Sequence, residues 1–280
     1  MSSIKLKKNE SFYIREGWFE KAINTIKEAD TNIFYKNDGI GYLGIGANMV
    51  KGLKYWLRAS KVIDPITCKL TDFGELLVKY DRYLDDVFSW FLIHYYLTTN
   101  KEECPIASEI FNSDFKQFSK NSISEYITNK FVQIDPSVST KLIDDDINTF
   151  MKSYFNDNVA ANPEDNYICP LSRLKLFDRE KDTYKRIRPS YTSLSYLIVY
   201  YILLDIYHGE TFEIEGSMKV ENSPARLLNL DKYMYLQYLD DMRKNELITI
   251  NRTAGLNTVY FEKKLSLEEI FEEKRGNRNV

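Results

Sequence analysis

The chain has 280 residues, enough for two domains of ordinary size, and a 44% hydrophobic content that excludes a disordered polymer. Its 38 basic and 41 acidic residues leave a net charge of −3, which excludes a polycation that coats nucleic acid, so any DNA contact must sit in patches. The three cysteines, Cys68, Cys104 and Cys169, are far apart and form no C-x-x-C pair, which excludes a zinc knuckle and a disulfide framework.

The opening MSSIKLKKNE is charged and lacks the apolar stretch of a secretory signal. The longest apolar run, Leu194 to Leu204, is interrupted by Ser195 and falls short of the roughly 18 residues a membrane span needs. A cytoplasmic location without membrane contact is the expectation. The 21 Tyr and 16 Phe read as aromatic cores whose hydroxyls reach water.

Residues 9 to 29 begin NESFYIREGW and continue as a helix, with Trp18, Phe19, Ala22, Ile23 and Ile26 at core spacing. Arg15, just ahead of that spacing, reads either as an ion pair with Glu10 or Glu16 or as a phosphate contact. In DGIGYLGIG the residues Gly39, Gly41 and Gly44 match G-x-G-x-x-G, and Asp64 follows about 20 residues on. Only Ile33 to Tyr35 offers a preceding strand, so a dinucleotide site is the weaker alternative.

The next stretch, residues 46 to 62, is the most informative. On a helical projection Met49, Val50, Leu53, Trp56 and Leu57 share one side, opposite Asn48, Lys51, Lys54, Tyr55, Arg58 and Lys61. No Asp or Glu occurs between Asp38 and Asp64, so the polar face is basic or neutral within a slightly acidic protein. A helix laid against duplex phosphates explains the bias, and a solvated lysine face is the bland alternative. Residues 69 to 76, KLTDFGEL, read as a short extended piece and a new helix capped by Thr71 or Asp72. Helix, tight turn, basic helix and then a short strand is the order expected of a winged helix-turn-helix.

From Asp81, DRYLDDVFSWFLIHYYL is an acidic turn entering an apolar helix, with Asp85 and Asp86 suited to cap its first turn and His94 set among apolar neighbours. Two further helices fill 114 to 155, separated at Gln133 to Pro136. The second carries Asp144, Asp145 and Asp146, which point about 100° apart and read as a solvated face rather than one metal site. The loop Ala160 to Asp165 suggests domains at 1–160 and 161–280. In the second, an apolar helix from Leu194 ends at Gly209. A helix from Asp231 to Lys244 then leads to strand Leu247 to Asn251, a turn at Ala254 and Gly255, and strand Asn257 to Phe261. Asp240 and Asp241 mix the charge of that helix, which suits protein contacts, with Arg252 in the hairpin as its DNA candidate. The tail SLEEIFEEKRGNRNV reads as a short helix. The expected fold is mainly α with small β wings, two winged-helix-like modules joined by helical segments.

Six stretches, taken together and in order, resemble one bacterial family, the domain of unknown function 4007. ESFYIREGW is similar to its opening H-E-T-F-x-x-R-x-G-W, DGIGYLGIGANMVKGLKYW to its L-G-V-G-x-N-M-V segment and DRYLDDVFSWFLIHYYL to its D-x-Y-L-E-D helix, and ICPLSRLKLF, SPARLLNL and TAGL follow. The resemblance implies a DNA-binding protein of a phosphorothioation or related phage-defence system. In such systems a component proposed to nick one DNA strand works beside a cysteine desulfurase, an adenylating sulfurtransferase and an ATPase. If this chain nicks, Mg²⁺ or Mn²⁺ held by Asp85 and Asp86 would neutralise the phosphate, with His94 a secondary catalytic candidate. The alternative is a non-catalytic adaptor that docks the sulfur-transfer partners. Asn9 stands where the family opening has His, and a neutral amide cannot serve as a general base.

Overall fold

The structure, a computed structural model, describes residues 4–29, 31–36, 38–155, 168–253 and 256–276. It is mainly helical, with two three-stranded antiparallel sheets. The chain divides into two compact units, 1–187 and 188–280. The boundary loop expected at Ala160 to Asp165 lies outside the described residues. Among those residues no helix is long and apolar enough to cross a membrane.

The first unit contains α1 (Trp18–Glu28), α2 (Asp38–Leu43), α3 (Ala47–Ala59), α4 (Asp72–Asp81), α5 (Val87–Thr99), α6 (Pro105–Asn112), β1 (Gln117–Phe118), α7 (Lys120–Ile134), α8 (Thr140–Tyr154), a 3₁₀ turn (Pro170–Leu174), β2 (Phe177–Glu180) and β3 (Thr183–Arg186). Its centre is α5. Every residue from Phe88 to Thr98 is buried, so this helix is apolar all round rather than amphipathic, and α6 and the 3₁₀ turn pack against it. Around it Phe111, Phe150, Tyr154, Phe155, Phe177 and Tyr184 form a chain of edge-on and tilted rings.

The N-terminal stretch is as expected: residues 9–11 and 16–17 are turns, 12–15 are irregular, Gly17 has φ 75°, and the helix runs from Trp18 with Arg15 ahead of it. The order α2, turn, α3, hairpin, α4 is present, but the hairpin is reduced to one bridge, Ile63 with Leu70. Thr71 caps α4 by accepting the Gly74 N–H at 3.1 Å. Among the described residues of 33 to 64 there are helices and no βαβ unit, so the dinucleotide reading falls. Gly39 has a packing role instead, since a Cβ there would lie 2.6 Å from Val50 Cγ1.

The sheet of order β1-β3-β2 was not foreseen. Each long strand buries a single residue, Phe177 or Tyr184, so no alternating apolar pattern marks it.

The second unit contains α9 (Tyr196–Tyr207), β4 (Phe212–Glu213), the short α10 (Ile214–Ser217) and α11 (Pro224–Leu227), α12 (Lys232–Lys244), β5 (Ile248–Thr253), β6 (Leu256–Phe261) and α13 (Leu267–Gly276). Ser195 caps α9, and His208 (φ 51°) with Gly209 (φ 72°) ends it, as the apolar run predicts. Asp231 caps α12 by accepting the Met234 N–H at 2.8 Å. Strands β5 and β6 pair from Ile248–Phe261 onward, and β4 joins the far edge of β6, giving the order β4-β6-β5. The turn at Ala254 and Gly255 lies outside the described residues.

Candidate nucleic-acid interface

Helix α3 is held on more sides than its periodicity suggests. Val50, Leu53, Trp56 and Leu57 are buried as the pattern requires, and Tyr55 and Ala59 are buried as well. Gly52 lets the N-terminal segment lie directly on the helix, because a Cβ there would come 2.8 Å from the Asn9 carbonyl oxygen. Trp56 Nε1 clips that segment by donating to the Phe12 carbonyl at 2.8 Å. On another side the loop between α5 and α6 covers the C-terminal half, with Asn100 Nδ2 donating to the Ala59 carbonyl at 3.0 Å.

This loop corrects two of the expected DNA-facing residues. Tyr55 is turned inward. Its hydroxyl donates to the Glu103 carbonyl at 2.6 Å and lies 3.1 Å from Cys104 Sγ, and burial raises its pKa well above the tyrosine range. Arg58 is half-buried and paired with Glu103 at 2.7 Å. Burial alone would raise the Glu103 carboxyl, but hydrogen bonds from Arg58 and Lys5 hold it below the usual range. The Arg58 charge is therefore answered inside the protein.

Lys61 is also displaced from the helix. α3 ends at Ala59, and Lys61 sits in a left-handed turn (φ 57°) with its Nζ 5.0 Å above the Tyr96 ring. What remains on the outer stripe of α3 is Asn48, Lys51 and Lys54. Asn48 and Lys51 are exposed and share a long 3.4 Å contact, and Lys54 reaches over the Phe34 ring at 5.8 Å. Among the described residues no carboxylate lies within salt-bridge distance of either lysine. Arg15 lies apart from them, its guanidinium 5.7 Å from the Phe12 ring and 5.6 Å from the Trp18 ring. Arg252 is exposed on β5, opposite Asn257.

The acidic turn before α5 is a capping device. Asp86 Oδ1 accepts the Phe88 N–H at 3.0 Å, and Asp81 accepts the N–H groups of Asp85 and Asp86 at 3.1 and 3.2 Å. Burial raises the Asp81 carboxyl against the hydrogen bonds of Ser89, Asp85 and Asp86. Asp85 is exposed, and its carbonyl accepts from Arg173 at 2.8 Å. Mg²⁺ is held by one or two carboxylates together with waters and substrate phosphates. Here the oxygens of Asp81 and one of Asp86 are turned to backbone N–H groups. Among the described residues no three His, Cys, Asp or Glu side chains gather around one point. Any cation held by Asp85 and Asp86 would therefore take most of its ligands from water or phosphate.

His94 is fully buried, 2.8 Å from the Tyr154 hydroxyl through Nδ1 and edge-on to Phe111 at 4.6 Å. It lies beneath the surface a DNA strand could reach.

Sequence reasoning missed Asp146. The three consecutive aspartates diverge as helical geometry requires, Asp144 to Ser124 and Asp145 to Lys7, but Asp146 is buried rather than solvated. It accepts from Asn9 Nδ2 at 2.9 Å and from the Lys7 N–H at 2.8 Å, so it pins the N-terminal segment that lies on α3. Asn9, where the family opening has His, thus donates to a carboxylate. No local signal separates Asp146 from Asp144 and Asp145 beyond its helical phase with Ile143, Ile147 and Phe150.

The model of the family described as "Protein of unknown function (DUF4007)" matches residues 7–274. The crystal structure of magnesium-ion-bound SspB superposes with a TM-score of 0.84 at 21% identity, covering 99% of this chain and 89% of that one. A second SspB crystal structure gives 0.82 at 20% identity with the same coverage. At these identities the likeness is one of fold. A search of curated proteins finds no match.

Proposed function

Because the chain belongs to the DUF4007 family, we propose that it is a DNA-binding component of a DNA phosphorothioation system that holds duplex DNA and presents it to sulfur-transfer partners. The observation that carries this reading is the outer stripe of α3, where Lys51 is exposed, Lys54 is half-buried, neither has a carboxylate in range among the described residues, and Asn48 lies beside Lys51. Cations without internal partners release counterions when they meet phosphates, and this release drives non-specific DNA affinity. The motifs shared with the family and the fold shared with SspB support the system.

The second unit reads as a winged-helix module. Its order α9, β4, α10–α11, α12, β5, β6 and its sheet order β4-β6-β5 are those of such a fold, with α12 in the recognition position and Arg252 in the wing. The α12 surface shows Tyr233 at 69% and Leu236 at 40% exposure, with its cations paired, which suits a protein partner. In the first unit the α2–α3 pair with its one-bridge hairpin is a reduced version of the same arrangement.

Presentation is favoured over cutting because Asp86 is spent on a helix cap and His94 is buried. Supercoiled plasmid incubated with the protein and Mg²⁺ or Mn²⁺, with and without chelator, tests this. The expected result is duplex binding without conversion to open circles. Metal-dependent nicking that disappears in Asp85→Asn/Asp86→Asn would instead establish the enzyme.

A further inference from the structure

A cleft with two exposed aromatic rings lies at α2 and the turn before it. Tyr35 and Tyr42, at 59% and 47% exposure, line one open cleft with Thr31, Asn32, Asp38 and Gly41. Both rings are set on a rigid base. Asn32 Oδ1 accepts the Phe34 N–H at 2.9 Å, the Tyr35 N–H donates to the Asn32 carbonyl at 2.9 Å, and Asp38 N–H donates to the Tyr35 carbonyl at 3.0 Å. Ile33 and Phe34 are buried, so this turn is pinned from below while Tyr35 stands outside it. Tyr42 is carried by α2, which Leu43 and the close Gly39–Val50 approach fix to α3. Its hydroxyl lies 3.4 Å from Thr31 Oγ1. A Cβ at Gly41 would meet nothing within 4 Å, so the space there is open.

Three lysines stand near the cleft without lining it. Lys36 Nζ lies 5.2 Å from the Tyr35 ring, and Lys54 Nζ lies over the neighbouring Phe34 ring, joining the cleft to the α3 stripe. Lys21 Nζ comes within 3.5 Å of the Cβ position of Gly44, at the end of α2. Asp38 is the acidic residue of the lining, so phosphates would run on the lysine side and bases over the tyrosines. Exposed aromatic rings beside cations that have no carboxylate partner among the described residues are the two elements of single-strand recognition, since every base has a face to stack and every nucleotide a phosphate. Bases inside an intact duplex have no free face.

We propose that this cleft binds unpaired DNA, with bases stacked on Tyr35 and Tyr42 and the backbone led from Lys36 to Lys54 and Lys51. The proposal rests on the DNA-binding reading of α3 and adds that the protein handles a strand opened next to the duplex it holds.

Fluorescence anisotropy with a labelled thymidine oligomer, an abasic oligomer of equal length and a duplex tests it. Tyr35→Ala/Tyr42→Ala should lose about tenfold or more in affinity for the thymidine oligomer, with duplex binding unchanged. Tyr35→Phe/Tyr42→Phe keeps both stacking faces and should bind the oligomer like the parent. The abasic oligomer should bind parent and Ala variant alike. Equal binding of the thymidine oligomer by parent and Ala variant, or of thymidine and abasic oligomers by the parent, overturns the cleft while leaving duplex binding by Lys51 and Lys54 intact. Absence of binding to duplex and oligomer together would overturn both readings.

Discussion

Helices α3 and α12 each stand before a hairpin and each is amphipathic, yet their outer surfaces do opposite things with charge. On α12 every cation is answered nearby: Lys232 by Glu215 at 2.6 Å, Arg243 by Asp240 at 2.7 Å and Lys244 by Asp240 at 2.8 Å. On α3 the residues Lys51 and Lys54 have no such partner among the described residues, and Arg58 alone is claimed, by Glu103. The number of basic residues is therefore a poor guide to DNA affinity. A cation already paired gains little from a phosphate, because it must exchange one anion for another, whereas an unpaired one gains the release of its counterions.

The largest expected effect follows from that difference. Lys51→Gln/Lys54→Gln should flatten the slope of log affinity against log salt on duplex DNA by roughly 2 units, about 0.9 per phosphate contact. Arg243→Gln/Lys244→Gln removes as much charge from α12 and should leave the slope unchanged. Salt titrations of the parent and both double variants by anisotropy decide it. A slope that responds to α12 and ignores α3 would reverse the assignment of the two helices.

Arg58 sharpens the comparison from the other side. In a helical projection it belongs to the basic face, and its removal there costs almost nothing in stability. In the fold, Arg58→Gln leaves the part-buried Glu103 carboxylate without its nearest cation, so it should destabilise the protein by about 1 kcal/mol while changing the salt slope less than Lys51→Gln. Urea denaturation beside the binding titration separates the two. A full unit of slope lost without loss of stability would mean that Arg58 leaves Glu103 to bind phosphate.

The same case shows where the sequence was readable. The buried Val50, Leu53, Trp56 and Leu57 of α3, the apolar α5, the caps Thr71 and Asp86 and the stop at Gly209 all depend on neighbours within a few residues, and each is where the pattern puts it. Tyr55, Arg58 and Asp146 depend on partners 48, 45 and 137 positions away, which no local spacing encodes. Tyr55 lies on the margin of the helical stripe, and only the arrival of the Glu103 loop turns it into core. The sheet formed by β1, β2 and β3 escaped for a related reason, since its strands bury one ring each.

The two acidic trios give smaller effects. Asp86→Ala removes the side-chain acceptor at the start of the central helix and should lower stability by about 1 kcal/mol, with duplex affinity unchanged. Asp86→Asn retains an acceptor oxygen and should recover most of that loss. Thermal denaturation distinguishes this cap from a ligand role, because a ligand lost to Asn would not be recovered.

Asp146 yields the effect that is smallest in size and most specific in sign. Burial raises its pKa, working against the hydrogen bonds from Lys7 N–H and Asn9 Nδ2, so the folded chain holds a proton on Asp146 more tightly than the unfolded chain does. A carboxyl raised in this way contributes stability that declines as pH rises from the ordinary carboxylate value through the raised folded value, and is constant above it. The amide introduced by Asp146→Asn cannot ionise, and its single acceptor oxygen can satisfy only one of the two donors. The parent should therefore exceed Asp146→Asn in stability most at the acid end, and the gap should narrow as pH climbs through that window before levelling off. Urea midpoints across the acid range measure it. A gap that widens with pH would mean that Lys7 and Asn9 stabilise the anion more than burial penalises it, and that the N-terminal segment is fastened to α8 by charge rather than held there despite it.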